Sequence, residues 1–317
     1  MLYRFVFVSL LLTGVSSPLC AGPSLLYAGG PENTRWDISG SVFGCRFEQA
    51  IPGYGKAVFY QQAGEPVLFR LEADRNMMAA SNAQVSIAAA PWQPAARSEP
   101  LGNAKVTTGI PNLELDARRS NQFLHALLEG RWPTIAQETW YDQGRSVQVQ
   151  VSAVQFKDYY PDYVACISQL LPLNYDQVGR SRVLFGTGEE SLDKEDTDLL
   201  DQVVFYINHD PRIFAVYLDG HSDNIGRRYD NRQTSKQRVE AVERYLILKG
   251  IDPEMITTRF HGSRYPVADN STPEGRAENR RVTIRLEMRE DMPIPDDLLF
   301  KLPTAQLSED SRTTVNR

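Results

Sequence analysis

Short runs of alternating apolar and polar residues dominate the first half of the chain, and Gly, Pro and Asn separate them. A two-residue period is typical of strands that bury one face. Two stretches have helical spacing instead: QFLHALLEG, which ends at Gly130, and PDYVACISQLL, which starts at Pro161. The pattern predicts a mainly antiparallel β domain, a barrel or sandwich with one or two helices, over residues 22–175. The predicted strands include KAVFYQQ, VLFRLEA, AQVSIAA, AKVTTG, LELDA and SVQVQVSAVQF.

The pattern changes near residues 172–182, where turn-forming residues cluster. Two later segments have apolar residues at helical spacing, SLDKEDTDLLDQVVFYINHD and SKQRVEAVERYLILKG, and Ser191 or Asp193 can cap the first. Four apolar runs predict strands: RVLFGTG, FAVYLDG, EMITTRFHG and RRVTIRLEM. The order β-α-β-α-β-β predicts an α+β sandwich over residues 176–290. We expect the polar tail, residues 291–317, to be loosely ordered.

The N-terminus has the pattern of a secretory signal peptide. Arg4 precedes the apolar run FVFVSLLLTGV, and small and turn-forming residues follow. We therefore predict a signal peptide over residues 1–21, because the run is too short to span a bilayer. An uncleaved anchor is one alternative. The other is a lipoprotein acylated at Cys20, although Pro18 and Leu19 replace the small residues expected before such a cysteine.

Overall charge argues against a general polyanion-binding protein. The chain has 34 Lys and Arg against 40 Asp and Glu, a net charge of −6. This balance gives no general attraction for nucleic acid or anionic lipid, although local patches remain open. No later apolar run is long enough for a membrane helix, and the sequence has no Cys–His spacing of a metal site. We predict no cofactor, no metal and no integral membrane span.

Cysteine content agrees with export. If Cys20 leaves with the signal peptide, Cys45 and Cys166 remain. A pair in an oxidising compartment is most simply a disulfide, and the alternative is two separate buried thiols. The bond would close a loop of 121 residues, for which the chain-entropy relation gives about 4–5 kcal/mol as an upper figure.

Candidate chemistry lies in GHSDNIGRRYDNRQTSKQR, residues 220–238. Asp223 follows a predicted strand, and Arg238 is predicted on the first turn of the next helix, with Thr234 or Ser235 as its cap. A helix start and an arginine together accept an anion, whereas an aspartate accepts an ammonium group. The two residues therefore predict a receptor for a zwitterion. The alternative is an Asp–Arg salt bridge that only orients the loop.

His221 invites a catalytic interpretation because Ser222 and Asp223 follow it. Hydrolysis needs an activated nucleophile, a metal or a pair of carboxylates, and no nucleophile elbow, metal-ligand spacing or second carboxylate pair accompanies His221. We therefore predict no catalytic residue and no enzyme activity.

Several separate motifs, GHSD, SKQR, HGSRYP and NSTPEGRAENRRV, resemble in order the signature of the OmpA C-terminal family over residues 181–287. That family binds peptidoglycan. The resemblance implies that Asp223 and Arg238 grip the free amino acid end of meso-diaminopimelate. The other pocket residues that it implies are Ser222, where the family usually has Thr, Asn231, Asn279 and Arg280.

The N-terminal segment GCRFEQAIPGYGKAVFYQQAGEPVLFRLEA resembles the MotY family, T-ring components of sodium-type polar flagellar motors. A disulfide between Cys45 and Cys166 suits that family. The resemblance implies a periplasmic protein whose β domain attaches to the flagellar basal body while the C-terminal domain anchors to peptidoglycan. The expected partners are peptidoglycan, basal-body ring proteins and stator units.

Two other functions compete with this one. A general tether between outer membrane and peptidoglycan, of the Pal or OmpA type, would need no flagellar partner. A wall hydrolase would need catalytic residues, which the sequence does not indicate.

Overall fold

The computed structural model describes residues 24–90, 92, 97–141 and 145–302. The predicted signal peptide, with Cys20, lies outside the described residues, as does the predicted tail beyond residue 302. In the described part of the chain, no helix has both the length and the apolar composition needed to cross a membrane.

Ten strands and two helices make up the N-terminal domain in the described part of the chain. Its strands are β1 (Ser24–Ala28), β2 (Trp36–Ser41), β3 (Gly44–Ile51), β4 (Gly55–Gln62), β5 (Leu68–Ala73), β6 (Asn82–Ala88), β7 (Glu99–Lys105), β8 (Leu113–Leu115), β9 (Trp132–Glu138) and β10 (Ser146–Gln150). Its helices are α1 (Ala117–Leu128) and α2 (Phe156–Ile167).

These strands form two five-stranded sheets, ordered β1–β10–β9–β6–β7 and β2–β3–β4–β5–β8. All pairs are antiparallel except β1 with β10, which is parallel. Residues of both sheets and both helices pack into one core, because the strands bury alternate side chains. The prediction of a mainly antiparallel β domain with one or two helices is confirmed.

The Cys45–Cys166 disulfide joins β3 to the end of α2. Both cysteines are fully buried, and their Cα atoms are 6.1 Å apart. The predicted pairing is confirmed, and the alternative of two free thiols is wrong. The bond lies beside an aromatic cluster in which the Phe47 ring is 4.6 Å from Trp36 and 5.1 Å from Tyr163.

Both helices of this domain begin earlier than predicted. The Asp116 carboxylate accepts the Arg119 backbone N–H at 3.0 Å and so caps α1 ahead of its apolar run. α2 begins at Phe156 and contains Pro161. Phe156 is fully buried, as are later residues of α2, so packing of this face outweighs the single hydrogen bond that the proline removes.

The C-terminal domain has four strands and, with two short ones, four helices among the described residues. Its strands are β11 (Arg180–Leu184), β12 (Ile213–His221), β13 (Ile256–Gly262) and β14 (Arg281–Met288). Its helices are α3 (Tyr175–Val178), α4 (Lys194–His209), α5 (Arg228–Leu248) and α6 (Pro273–Asn279), and a 3₁₀ turn spans Pro253–Met255.

The sheet has the order β11–β14–β12–β13, with β13 parallel to β12 and the other pairs antiparallel. Apolar residues of α4 and α5 pack on one face of this sheet and form a second core. Asp193 caps α4 as predicted, with Asp196 completing a capping box. The predicted α+β fold is confirmed, but the pattern missed the short helices α3 and α6.

Contacts between the domains involve two turns of the N-terminal domain. Phe43, in the turn between β2 and β3, lies 6.3 Å from the Tyr206 ring, and the Arg212 guanidinium stands 4.5 Å over Phe43. Ala63, at the end of β4, belongs to the second core, and its carbonyl accepts a hydrogen bond from the Asn174 amide at 3.0 Å.

Part of the predicted tail pairs with the N-terminal domain. The Val42 N–H donates to the Leu298 carbonyl at 3.0 Å, and the Phe300 N–H donates to the Gly40 carbonyl at 2.9 Å. β2 is an edge strand with free backbone groups, which explains why a returning segment can pair there. Residues 298–300 are therefore held in place, in contrast to the loose order expected for the tail.

Gly220 lets α5 approach β12 closely. A Cβ at this position would lie 2.5 Å from both the Ser235 carbonyl oxygen and a Val239 methyl group. We expect Gly220→Ala to lower the free energy of unfolding by about 1–3 kcal/mol through overpacking. Urea unfolding of the full chain measures the change. Gly30→Ala is the matched control, since nothing lies within 4 Å of its added Cβ, and equal midpoints for the two variants would contradict the prediction.

Candidate functional site

A cleft of about 340 Å³ opens at the carboxyl end of β12. The loops after β11 and β12 form part of its wall, and α5 and α6 complete it. Five of the six residues predicted for the pocket line it, and Asn279 does not. The lining residues are Thr187, Gly188, Ser222, Asp223, Ile225, Asn231, Thr234, Arg238, Arg276 and Arg280.

Asp223 is held by both carboxylate oxygens. Oδ1 accepts the Ile225 backbone N–H at 3.0 Å, and Oδ2 accepts a hydrogen bond from Arg280 Nη1 at 3.1 Å. Gly226 has a φ of +96°, which allows the sharp turn of this loop. The side chain is thus fixed at the cleft wall with its charge paired to Arg280, not to Arg238. The simple Asp223–Arg238 salt bridge is therefore absent from the described structure.

Arg238 is not at a helix start. α5 begins at Arg228 with Arg227 as its N-cap, so Arg238 is the eleventh helical residue. The predicted caps Thr234 and Ser235 lie inside the helix, and the predicted contribution of first-turn amides is wrong.

The physical reason is that the buried face of α5 is polar over its first half. Asn231, Ser235 and Arg238 are buried at helical spacing, in line with Val239 and Val242. The apolar pattern therefore places the start of α5 too late. The buried residues in the first half of the helix are polar and include Asn231 and Arg238 of the cleft lining, whereas the later ones are apolar and face the core.

The Arg238 guanidinium is oriented by main-chain carbonyls. Nε donates to Glu189 O at 2.9 Å, and Nη2 donates to Gly186 O at 3.1 Å. Nη1 donates to His221 O at 3.5 Å. An arginine has five N–H donors, so one on each Nη atom has no acceptor among the described residues. Two free N–H groups on one guanidinium are enough to bind a carboxylate.

Arg238 is 1 % exposed. Burial, and then the neighbouring charge of Arg280, lower the pKa of Arg238 to about 10. The guanidinium therefore still carries its positive charge at neutral pH. A buried cation with two free donors attracts a carboxylate strongly, because little water competes for it.

Ser222 and Asn231 shape the cleft around these charges. The Ser222 N–H donates to Gly262 O and its hydroxyl donates to Asp223 O, both at 2.9 Å. This pairing fixes the main chain next to Asp223. Asn231 is buried and lines the cleft from α5, as the resemblance implied.

Asn279 has a different place from the one predicted. Its side chain is fully buried; Oδ1 accepts the N–H groups of Val267 and Ala268, and Nδ2 donates to Ala268 O and Asn270 Oδ1. Asn279 thus fixes the loop between β13 and α6. The next residue, Arg280, turns into the cleft.

Sequence reasoning missed half of the lining. Arg276 lies within a quoted motif, but the loop after β11 carried no signal of its own because it reaches the cleft through the tertiary fold. The missed lining residues are Thr187, Gly188, Ile225, Thr234 and Arg276.

The cleft can therefore hold a carboxylate at Arg238 and an ammonium group at Asp223, the two ends of a zwitterion. Among the described residues, no group of three or more His, Cys, Asp or Glu side chains is placed to hold a metal ion.

The His221 imidazole is buried away from the cleft lining and stacks 4.9 Å from the His261 ring. Its Nδ1 has no hydrogen-bond partner among the described residues. Burial, and then the charge of Arg281, lower the pKa of His221 from 6.5 to about 4. The folded protein therefore holds the His221 imidazole in its neutral form at neutral pH.

This burial predicts a loss of stability in acid. The unfolded chain takes up the proton near pH 6.5 and the folded chain only near pH 4, so stability present above pH 6.5 is lost as the pH falls towards 4. We expect a loss of about 3 kcal/mol, which His221→Gln should remove. Urea unfolding across this pH range measures it. The exposed His125→Gln control should follow the unsubstituted chain, and a His221→Gln profile that does the same would contradict the prediction.

The chain matches two protein families. Residues 27–172 match the MotY N-terminal domain, and residues 184–280 match the OmpA family. The sodium-type flagellar protein MotY of Vibrio parahaemolyticus is 26% identical over 263 residues, which are 82% of this chain and 89% of that protein.

Two further relatives are similar over about a third of this chain. The peptidoglycan-binding protein ArfA of Mycobacterium bovis is 38% identical over 102 residues, 32% of this chain and 31% of that protein. The solved peptidoglycan-associated lipoprotein of Burkholderia pseudomallei is 26% identical, with a TM-score of 0.32, over 33% of this chain and 89% of that one. By its two family matches, this chain joins a MotY N-terminal domain to a domain of the OmpA family.

Proposed function

We propose that this chain is a non-enzymatic, periplasmic component of a flagellar motor that holds peptidoglycan with its C-terminal cleft and the basal body with its β domain. In this position it supports stator assembly and torque generation. The observation that carries the proposal is the cleft, where Asp223 and the two free N–H groups of Arg238 line one space. The family of the N-terminal domain supplies the flagellar part.

The ligand that best fits the cleft is the free end of meso-diaminopimelate in peptidoglycan. Its carboxylate binds the outer N–H groups of Arg238, and its ammonium group binds Asp223. A relative that is called a peptidoglycan-binding protein, 38% identical over 102 residues, supports this choice.

The β domain is the part that we assign to the basal body. This assignment rests on similarity to the sodium-type flagellar protein MotY, which extends across both domains. The two domains contact each other through Phe43 and Arg212, and residues 298–300 pair with β2. A load on one domain is thus transmitted to the other through packed residues.

Capture from envelope fractions tests the flagellar part. The bait is the tagged full chain carrying Asp223→Asn, so that wall fragments do not bring partners with them. We expect flagellar basal-body ring proteins in the eluate. An eluate that has outer-membrane proteins but no basal-body protein would favour the general tether.

Deletion of the gene gives an independent result. We expect cells that assemble filaments but do not swim, because the stators would lack their support. Cells that swim normally would contradict the flagellar role, and cleared zones in a peptidoglycan zymogram would contradict the non-enzymatic one.

A further inference from the structure

A second cleft, of about 460 Å³, lies on the open face of the C-terminal sheet, opposite α4 and α5. We call it the arginine cleft. It arises because β11 and β14 are antiparallel neighbours whose outward side chains include several arginines, with Arg180 opposite Arg285. Its lining residues are Arg180, Arg182, Arg281, Arg285, Asp219, Ser181, Val267 and Thr283.

Positive charge is in excess there. Four arginines and one carboxylate, Asp219, line the cleft, and that carboxylate is already 2.8 Å from His261 Nε2. Arg285 is paired with Glu287 at 3.7 Å, which leaves Arg180, Arg182 and Arg281 as the excess charge. Arg180 and Arg182 are exposed, and no ion pair or hydrogen bond engages either side chain among the described residues. Like charges on neighbouring strands destabilise a sheet, so this concentration in a chain of net charge −6 calls for a compensating anion.

Arg281 is the buried member of the group, only 6 % exposed. Nη2 donates to Tyr265 O at 3.2 Å, but Nη1 is buried with no acceptor among the described residues. An unpaired buried donor is costly. Burial, and then the charge of Arg182, also lower the pKa of Arg281. Val267, which is 57% exposed, lines the same cleft as Arg281.

We propose that the arginine cleft is a binding site for a phosphate group, held by Arg180, Arg182 and Arg281. Phosphate fits better than a single carboxylate because it carries more charge and offers more acceptor oxygens to several guanidinium groups. Arg285 adds charge at the rim, where it already stacks 4.3 Å over Tyr217.

This site is separate from the peptidoglycan cleft. Arg280 points into one cleft and its neighbour Arg281 into the other, because the chain passes between them into β14. The phosphate can be free or can be the headgroup of a lipid, since the chemistry is the same. The inference does not depend on the proposed function.

Titration of the full chain tests the proposal with two probes. Inorganic phosphate is followed by calorimetry, and vesicles of phosphatidylcholine with and without phosphatidic acid are followed by flotation. We expect Arg180→Gln combined with Arg182→Gln to weaken phosphate binding about tenfold or more, as loss of charge-assisted hydrogen bonds does. Both residues are exposed, so the fold should persist. The control is Arg75→Gln combined with Arg244→Gln, which removes the same charge from exposed positions elsewhere.

Binding of inorganic phosphate alone would identify a free ligand, and selective binding of phosphatidic acid vesicles would identify a headgroup; either supports the site if only the Arg180/Arg182 variant loses it. An equal loss of binding in the control variant would show that binding depends on net charge alone, and this result would overturn the proposal. Absence of binding to both probes, or binding of an oligoglutamate peptide in their place, would overturn it as well.

Discussion

Asp223→Asn is expected to leave the full chain in the supernatant when it is centrifuged with purified peptidoglycan, whereas the unsubstituted chain sediments. The substitution keeps the size of the side chain and its Oδ1 acceptor for Ile225 but removes the charge that we expect to hold the ammonium group of the ligand. Loss of one partner from a buried charge pair costs about 2–5 kcal/mol, which is at least about 30-fold in affinity.

Asp230→Asn is the matched control, because Asp230 lies on the first turn of α5, is exposed and does not line the cleft. It should sediment like the unsubstituted chain. Urea midpoints of both variants check that the fold persists. Sedimentation of Asp223→Asn at the unsubstituted level would remove the ammonium site from the proposal.

Competition by small molecules tests whether Arg238 binds a carboxylate in the same site. Free meso-diaminopimelate should displace the chain from peptidoglycan, because it offers both an ammonium group and a carboxylate at one carbon. Cadaverine has the two ammonium groups without any carboxylate and should displace the chain far less. Equal displacement by the two would show that Arg238 does not hold a carboxylate.

The sequence predicted best those elements in which one face is buried and apolar. β5 and β6 bury alternate residues, and α4 buries Leu200, Val203 and Ile207, so the spacing of apolar residues alone locates these elements. Glycine and an apolar residue directly after a helix are also a local signal: the Gly250 and Ile251 N–H groups donate to Ile247 O and Leu246 O, the pattern that ends many helices.

The candidate site is where such patterns fail. Asn231, Ser235 and Arg238 occupy buried positions of α5 that an ordinary helix fills with apolar residues. Motif resemblance located these residues, but it did not give their geometry. It could not show that Asp223 pairs with Arg280 or that Asn279 fixes a loop, because adjacent residues in one motif can point to different environments.

Contacts between distant segments could not be predicted from the sequence either. The carbonyls of Gly186 and Glu189 orient Arg238 from a loop about fifty residues away. Pairing of residues 298–300 with β2 depends on which strand lies at the sheet edge. Neither feature leaves a local pattern, since backbone groups are the same in every residue.

Removal of the disulfide is expected to give the largest loss of stability. The bond closes a loop of 121 residues, and the chain-entropy relation assigns about 4–5 kcal/mol to it as an upper figure. Cys45→Ala combined with Cys166→Ala avoids placing two hydroxyl groups in a site that is fully buried. Urea unfolding followed by near-ultraviolet circular dichroism measures the change, and dithiothreitol should lower the midpoint of the unsubstituted chain but not that of the variant.

The position of the disulfide predicts which domain loses stability when the bond is removed. Cys45 follows the turn that contains Phe43, and Phe43 contacts the other domain. In the segment after Cys166, the Leu171 N–H donates a hydrogen bond to the carbonyl of Val42, in the same turn. The effect should therefore centre on the β domain and its junction, while the cleft at the carboxyl end of β12, formed within the second domain, keeps its geometry. We expect the double variant to sediment with peptidoglycan at denaturant concentrations that already unfold its β domain. Unchanged midpoints would contradict the stabilising role of the bond, and simultaneous loss of binding would show that the cleft depends on the β domain.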